Sequence, residues 1–97
     1  MTDLAYIVTV RAKAGKLEVL GAALAEMVML TRRESGCGIC ELHQSSDDAA
    51  TWMVYERWRD KEAFARHMQQ PYTLQFIERM DDLASAPADV RAFDHHP

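Results

Sequence analysis

Apolar residues follow two different periods along the chain, and the changes between these periods mark the predicted elements. Residues 4–12 are rich in β-branched and aromatic types, which predicts a strand. From residue 16 to about residue 34, apolar side chains recur at three- and four-residue steps, which predicts an amphipathic helix. Residues 37–46 and 51–59 predict two further strands, which are joined by a hairpin turn at residues 47–50.

The last third of the chain predicts two helical segments and a final strand. Asp60 is placed to cap a helix that Pro71 interrupts, and residues 89–95 can form a strand. The order β-α-β-β-α-β is that of the α+β ferredoxin-like fold, in which a four-stranded antiparallel sheet carries its helices on one face. The apolar face of the second helical segment consists of Leu74, Ile77, Met80 and Leu83.

The other face of this sheet is expected to be covered by a second copy of the chain. Alternation in the third strand places its side chains on two opposite faces, and both faces are substantially apolar. A sheet with one solvated face would alternate more cleanly between apolar and polar residues. We therefore expect a homodimer, since a two-fold arrangement buries the same face of both copies. The two sets are Trp52, Val54, Glu56 and Trp58 on one side, and Met53, Tyr55 and Arg57 on the other.

Two glycines have predicted structural roles. Gly21 lies inside the first helix, where glycine costs about 1 kcal/mol relative to alanine, and this indicates close packing at that position. Gly36 follows the end of the same helix and is expected to cap it in the left-handed conformation.

Length and charge narrow the classes of partner. The chain has 97 residues, which suits one domain over residues 1–97. Its net charge is −4 and its longest basic run is Arg32-Arg33, so we expect neither nucleic acid nor an acidic membrane surface as a partner. The first apolar run has no basic segment before it, and no stretch is long enough to span a membrane. We expect a cytoplasmic protein.

Cys37, Cys40 and His43 raise the question of a redox or metal site. In a regular strand, the α-carbons of the two cysteines would be about 10 Å apart and their side chains would point to opposite faces. That separation excludes a disulfide bond. Only Cys37 and His43 would share a face, which leaves too few ligands for zinc. We therefore expect structural cysteines and no metal site.

Three segments resemble the antibiotic biosynthesis monooxygenase domain, a dimeric α+β-barrel family. They are residues 34–43 (ESGCGICELH), residues 53–72 (MVYERWRDKEAFARHMQQPY) and residues 88–93 (ADVRAF). They contain an E-x-G-C turn, an E-x-W strand end, an A-x-x-x-H helix and a proline-aromatic step, in the order of the family pattern. The family includes cofactor-free monooxygenases of quinols and polycyclic aromatic compounds, haem-degrading enzymes and an isomerase of a signalling sugar.

Some residues of this chain differ from the family pattern, and these differences argue against some of the activities found in the family. The haem-degrading members have asparagine, tryptophan and histidine where this chain has Val8, His67 and Ile77, so we do not expect haem degradation. The family often has an aromatic residue at Cys40 and a histidine at Tyr72, so a mechanism that needs two histidines is not implied. No flavin, nucleotide or zinc motif is present, and we expect no cofactor.

Three residues are the catalytic candidates. His67 lies in the matched A-x-x-x-H segment, and histidine can accept a phenolic proton near neutral pH. Glu56 lies on a mostly apolar strand face, where it is either a base or the partner of an arginine such as Arg57 or Arg66. Tyr72 is placed to donate a hydrogen bond to a substrate oxygen, or else to pack against the helices.

Aromatic residues are the candidates for substrate binding. They are Trp58, Phe64, Phe76 and Trp52, each of which would serve equally well as core. The resemblance implies a cofactor-independent monooxygenase that acts on a quinol or polycyclic phenol with dioxygen. One alternative is a non-catalytic ligand-binding or dimerisation module, which Tyr72 in place of histidine favours. Another is an isomerase of a small phosphorylated carbonyl compound, for which Arg57, Arg66 and Arg79 would supply the cations.

Overall fold

The structure, a computed structural model, describes residues 3–97 and has the predicted order of elements. Its four strands form one antiparallel sheet in the order β2-β3-β1-β4, which confirms the ferredoxin-like fold. Within these residues, no helix has the length and apolar character needed to cross a membrane. The elements are β1 (Leu4–Arg11), α1 (Leu17–Thr31), β2 (Cys37–Gln44), β3 (Thr51–Trp58), α2 (Lys61–Met68), α3 (Pro71–Leu83) and β4 (Asp89–Asp94).

The two faces of the sheet have different surroundings. One face packs against the helices, and its core contains Val10, Val54, Leu20 and Leu24, which are all buried. The opposite face carries Ile39 of β2, Met53, Tyr55 and Arg57 of β3, and Phe93 of β4. Ile39 and Phe93 on that face are 39% and 48% exposed in the single chain. This is the face for which we predict a second copy.

The second strand contains a β-bulge that the sequence analysis missed. The register between β2 and β3 shifts between Cys37 and Ile39, so Gly38 has no partner of its own. Because a bulge reverses the alternation of side chains along a strand, Cys37 and Cys40 both lie on the face toward the helices. His43 lies on the opposite face. The prediction that the cysteines point apart, with Cys37 beside His43, is wrong.

The two glycines act through close packing. A Cβ atom at Gly21 would lie 2.6 Å from the Trp52 ring, which confirms the predicted close approach. Gly36 does not have a positive φ, so the predicted left-handed cap is wrong. A Cβ atom there would lie 2.4 Å from the Cβ atom of Ala63, so Gly36 lets the turn before β2 approach α2.

The caps of α2 and α3 place two candidate residues near each other. The Asp60 side chain accepts a hydrogen bond from the backbone N–H of Ala63 at 2.8 Å, which confirms it as the N-cap of α2. Pro71 is the first residue of α3, where a missing N–H group costs nothing. The short connection between the helices therefore brings His67, at the end of α2, close to Tyr72, at the start of α3.

Candidate active site

A cavity of about 510 Å³ lies between the sheet and the helices. Its wall is mostly apolar, as expected for a site that binds a flat organic ligand. Two ionisable side chains that were predicted as catalytic, His67 and Glu56, are part of this wall. The apolar part of the wall includes Val8, Leu24, Val54, Phe64, Phe76 and Ile77.

His67 is held by a carboxylate on the side away from the cavity. Its side chain is buried, and its Nδ1 atom lies 2.7 Å from Oε2 of Glu34. An ionised carboxylate only accepts hydrogen bonds, so this contact assigns the proton of a neutral imidazole to Nδ1 and its lone pair to Nε2. Within residues 3–97, Nε2 has no hydrogen-bond partner. A carboxylate, an oriented imidazole and an open cavity form the arrangement that general-base catalysis needs.

Tyr72 bonds to the same carboxylate. Its hydroxyl group donates to Oε2 of Glu34 and lies 3.5 Å from both Thr31 Oγ1 and His67 Nδ1. Burial, together with the Glu34 hydrogen bond, raises the pKa of Tyr72 to about 12, so the phenol stays protonated. Tyr72 does not line the large cavity and contacts a smaller one of about 80 Å³ instead. The structure thus places it behind His67, away from the position where it would bond a substrate in the large cavity.

Glu56 is a buried carboxyl group on the cavity wall. It is 7% exposed, and its Oε1 atom accepts a hydrogen bond from Nε1 of Trp58 at 2.7 Å. Burial raises the pKa of Glu56, while the Trp58 hydrogen bond and the nearby His67 oppose that rise. In the part of the chain that the structure describes, Glu56 has no arginine partner. Arg57 instead pairs with Asp3 at 3.1 Å.

The predicted aromatic residues separate into two groups. Phe64 and Phe76 line the cavity together with His67 and Glu56. Trp58 is 1% exposed and lies behind the wall, with its ring centroid 4.8 Å from that of His67. Trp52 is half-buried, packs against Gly21 at the edge of the core and is not part of the wall. The arginines considered for an isomerase, Arg57, Arg66 and Arg79, are also outside the wall.

Glu34 is the residue of this site that the sequence analysis missed. It lies in the turn between α1 and β2, and its bonds to His67 and Tyr72 span 33 and 38 residues along the chain. No local periodicity encodes a contact of that range. The available signal was the E-x-G-C turn, in which Glu34 is the first residue.

We expect both cysteines to react slowly with iodoacetamide at neutral pH. Burial, assisted by the charge of Glu56, raises the pKa of Cys37 to about 11 and that of Cys40 to about 12. The thiolate is the reactive form, so alkylation should be about 100- to 1000-fold slower than for an ordinary thiol. Peptide mass spectrometry of native protein and of protein in urea measures this ratio. Rapid labelling of either cysteine in the native protein would contradict the prediction.

Comparison with known proteins identifies the family. Residues 4–79 match the family described as antibiotic biosynthesis monooxygenase. Rv0793 of Mycobacterium tuberculosis, named as a candidate monooxygenase, is 31% identical over 71 residues, which are 73% of this chain and 69% of that protein. The uncharacterized protein sll1783 of Synechocystis is 26% identical over 84 residues, which are 87% of this chain and only 57% of that protein.

The comparison with solved structures agrees with the sequence matches. The crystal structure of PA3566 from Pseudomonas aeruginosa superposes with a TM-score of 0.94 and 29% identity, covering 100% of this chain and 97% of that chain. The chain therefore belongs to the antibiotic biosynthesis monooxygenase family.

Proposed function

We propose that this protein is a cofactor-independent monooxygenase that oxidises a quinol or polycyclic phenol with dioxygen. The observation that carries the proposal is the position of His67, whose Nδ1 is bonded to Glu34 and whose side chain is part of the wall of an apolar cavity. Membership of the family supports the monooxygenase class. The volume of about 510 Å³ is in the range of pockets that bind small organic ligands.

The first step is removal of a proton from the ligand. The phenolic O–H group transfers its proton to Nε2 of His67, and the Glu34 carboxylate stabilises the imidazolium ion that forms. A positioned general base accelerates such a step by about 10²- to 10⁴-fold. The low polarity of the wall, with Phe64 and Phe76, excludes water and keeps the aromatic ring of the ligand in place.

The electrons for dioxygen come from the deprotonated ligand itself. The anion transfers one electron to dioxygen, and the two radicals combine into a carbon–oxygen bond. The ring C–H proton then passes to the terminal peroxide oxygen as the O–O bond breaks, which leaves a carbonyl group on the ring and releases hydroxide. The proton stored on His67 converts this hydroxide into water, so the imidazole returns to its starting form. One dioxygen gives one oxygen atom in the product and one in water.

Glu56 has a separate role in this proposal. Burial raises its pKa, so this carboxyl group takes up a proton more readily than one in water does. A neutral carboxyl group can donate a hydrogen bond to a second oxygen of a quinol. The Trp58 hydrogen bond occupies Oε1, which leaves Oε2 for the ligand.

The proposal is tested by mixing purified protein with several quinols under isotopically heavy dioxygen. We expect a protein-dependent product that contains one heavy oxygen atom, detected by mass spectrometry, together with matching oxygen consumption. The His67→Gln variant is the matched control for protein-independent oxidation. If no quinol gives such a product although calorimetry shows that aromatic ligands bind, the protein is a binding module and the proposal is wrong.

We also propose a homodimer that pairs through the sheet face opposite the helices. This face carries the exposed side chains of Ile39 and Phe93, and the buried Nε atom of Arg57 lacks a hydrogen-bond partner among residues 3–97. We expect the Phe93→Asp variant to sediment with the mass of one chain, while unaltered protein sediments with the mass of two. The control is Leu74→Asp, since Leu74 is 45% exposed on α3, away from this face. Sedimentation equilibrium that shows one chain for the unaltered protein would contradict the dimer.

A further inference from the structure

Each of the three helices contributes one methionine to the wall of the large cavity. These residues are Met27 of α1, Met68 of α2 and Met80 of α3. The other two methionines among residues 3–97 lie elsewhere: Met29 is 60% exposed on the outside of α1, and Met53 lies on the opposite face of the sheet. The thioether of methionine is flexible and polarisable, which suits a wall that adapts to a ligand, and it is also readily oxidised.

We propose that Met27, Met68 and Met80 are sites of turnover-dependent oxidation to methionine sulfoxide, and that this modification limits the number of turnovers of each molecule. The proposal rests on the proposed function, because that function brings dioxygen and an electron-rich ligand into the same cavity. Oxidation of these methionines is not one of the catalytic steps, so it would add a modification site and a limit on activity to the proposed reaction.

The oxidant is hydrogen peroxide that forms when turnover is incomplete. A quinol that passes two electrons and two protons to dioxygen without forming a carbon–oxygen bond gives a quinone and hydrogen peroxide. A thioether sulfur then attacks one peroxide oxygen, the S–O bond forms and the O–O bond breaks. The sulfur is oxidised by two electrons, and the other oxygen leaves as water with both protons.

Location decides which side chains are oxidised. Peroxide that forms in the cavity is released beside the three wall methionines, which are half-buried, whereas peroxide added from outside meets the exposed Met29 first. Cys40 is the other sulfur on this wall, and its raised pKa keeps it in the less reactive thiol form. A sulfoxide places a polar group in an apolar wall, so we expect it to weaken binding of an aromatic ligand.

The test compares two ways of exposing the protein to peroxide. In one, the protein turns over naphthohydroquinone under air with catalase in solution, which destroys peroxide that escapes. In the other, hydrogen peroxide is added without quinol and without catalase. Peptide mass spectrometry then measures sulfoxide at each methionine. We expect severalfold more sulfoxide at Met27, Met68 and Met80 than at Met29 during turnover, and the reverse order with added peroxide.

Equal oxidation of Met29 and the three wall methionines during turnover would overturn the proposal while leaving the proposed function intact. Absence of any protein-dependent quinol oxidation would overturn both. A second measurement uses a variant with leucine at all three wall positions. The amount of product that each subunit forms before its activity is lost, divided by the initial rate of the same variant, should rise severalfold. Met29→Leu is the matched control and should not change this ratio.

Discussion

Replacing His67 with glutamine is expected to lower kcat for quinol oxidation by about 10²- to 10⁴-fold, the usual contribution of a positioned general base. Glutamine has a comparable size but cannot accept a proton near neutral pH. The imidazole is 2% exposed and lines the cavity, and glutamine takes its place without supplying a base. Oxygen consumption under saturating quinol measures the effect. Circular dichroism and the unfolding midpoint must show that the variant is folded, because it removes the imidazole partner of the partly buried Glu34.

The pH dependence of the variant separates loss of a base from loss of packing. At higher pH a growing fraction of the ligand enters as the phenolate, which no longer needs a base. The ratio of the rates of unaltered protein and the His67→Gln variant should therefore fall as the pH rises through the pKa of the ligand. A ratio that stays constant across this range, or a variant with full activity at neutral pH, would show that His67 is not the base.

The parts of the site that lie on one element followed from the sequence. His67 and Phe64 are three residues apart on α2, which places them on the same side of a helix, and both line the cavity. The two-residue alternation of β3 places Glu56 beside Val54 on the face toward the helices, where the structure has both buried. The spacing that places side chains on one face of a helix or strand depends only on that element. It therefore predicts the shared face correctly once the element has formed.

Contacts between elements did not follow from the sequence in the same way. Glu34 reaches His67 because Gly36 lets the turn before β2 approach α2, and this depends on tertiary packing. The indole of Trp58 shares the face of Glu56 as predicted, but its N–H group turns to that carboxylate and so takes the ring out of the cavity wall. A side chain on this face of the sheet can either line the cavity or lie behind the residues that line it. Only the packing of neighbouring elements distinguishes the two.

The amino-acid sequence contains a signal for the bulge in β2. A glycine inside a strand often marks a bulge, and Gly38 lies between the two cysteines. Treating the strand as regular led to the wrong prediction that Cys37 and Cys40 point to opposite faces. Both lie on the face toward the helices, and Cys40 is part of the cavity wall, where its small side chain takes up little of the cavity volume.

Replacing Glu34 with glutamine is expected to lower kcat by about 10- to 100-fold while leaving KM almost unchanged. A hydrogen bond to a charged group contributes about 1.5–3 kcal/mol, and each 1.4 kcal/mol is a factor of ten in rate. Glutamine preserves the size of the side chain but removes the negative charge that stabilises the imidazolium ion at 2.7 Å. Glu34 is not part of the cavity wall, so the ligand should bind to the variant as before. Steady-state kinetics with one quinol gives both parameters.

A double-mutant cycle shows whether Glu34 acts through His67. If it does, Glu34→Gln in the His67→Gln protein should lower the rate little further, because the group that it supports is already absent. Tyr72→Phe is the matched control, since it removes the other hydrogen bond to Glu34 and keeps the charge beside the imidazole. We expect this variant to keep most of its activity. Independent, additive losses for Glu34 and His67, or a loss in Tyr72→Phe as large as that in Glu34→Gln, would mean that the carboxylate stabilises the fold and not the protonated base.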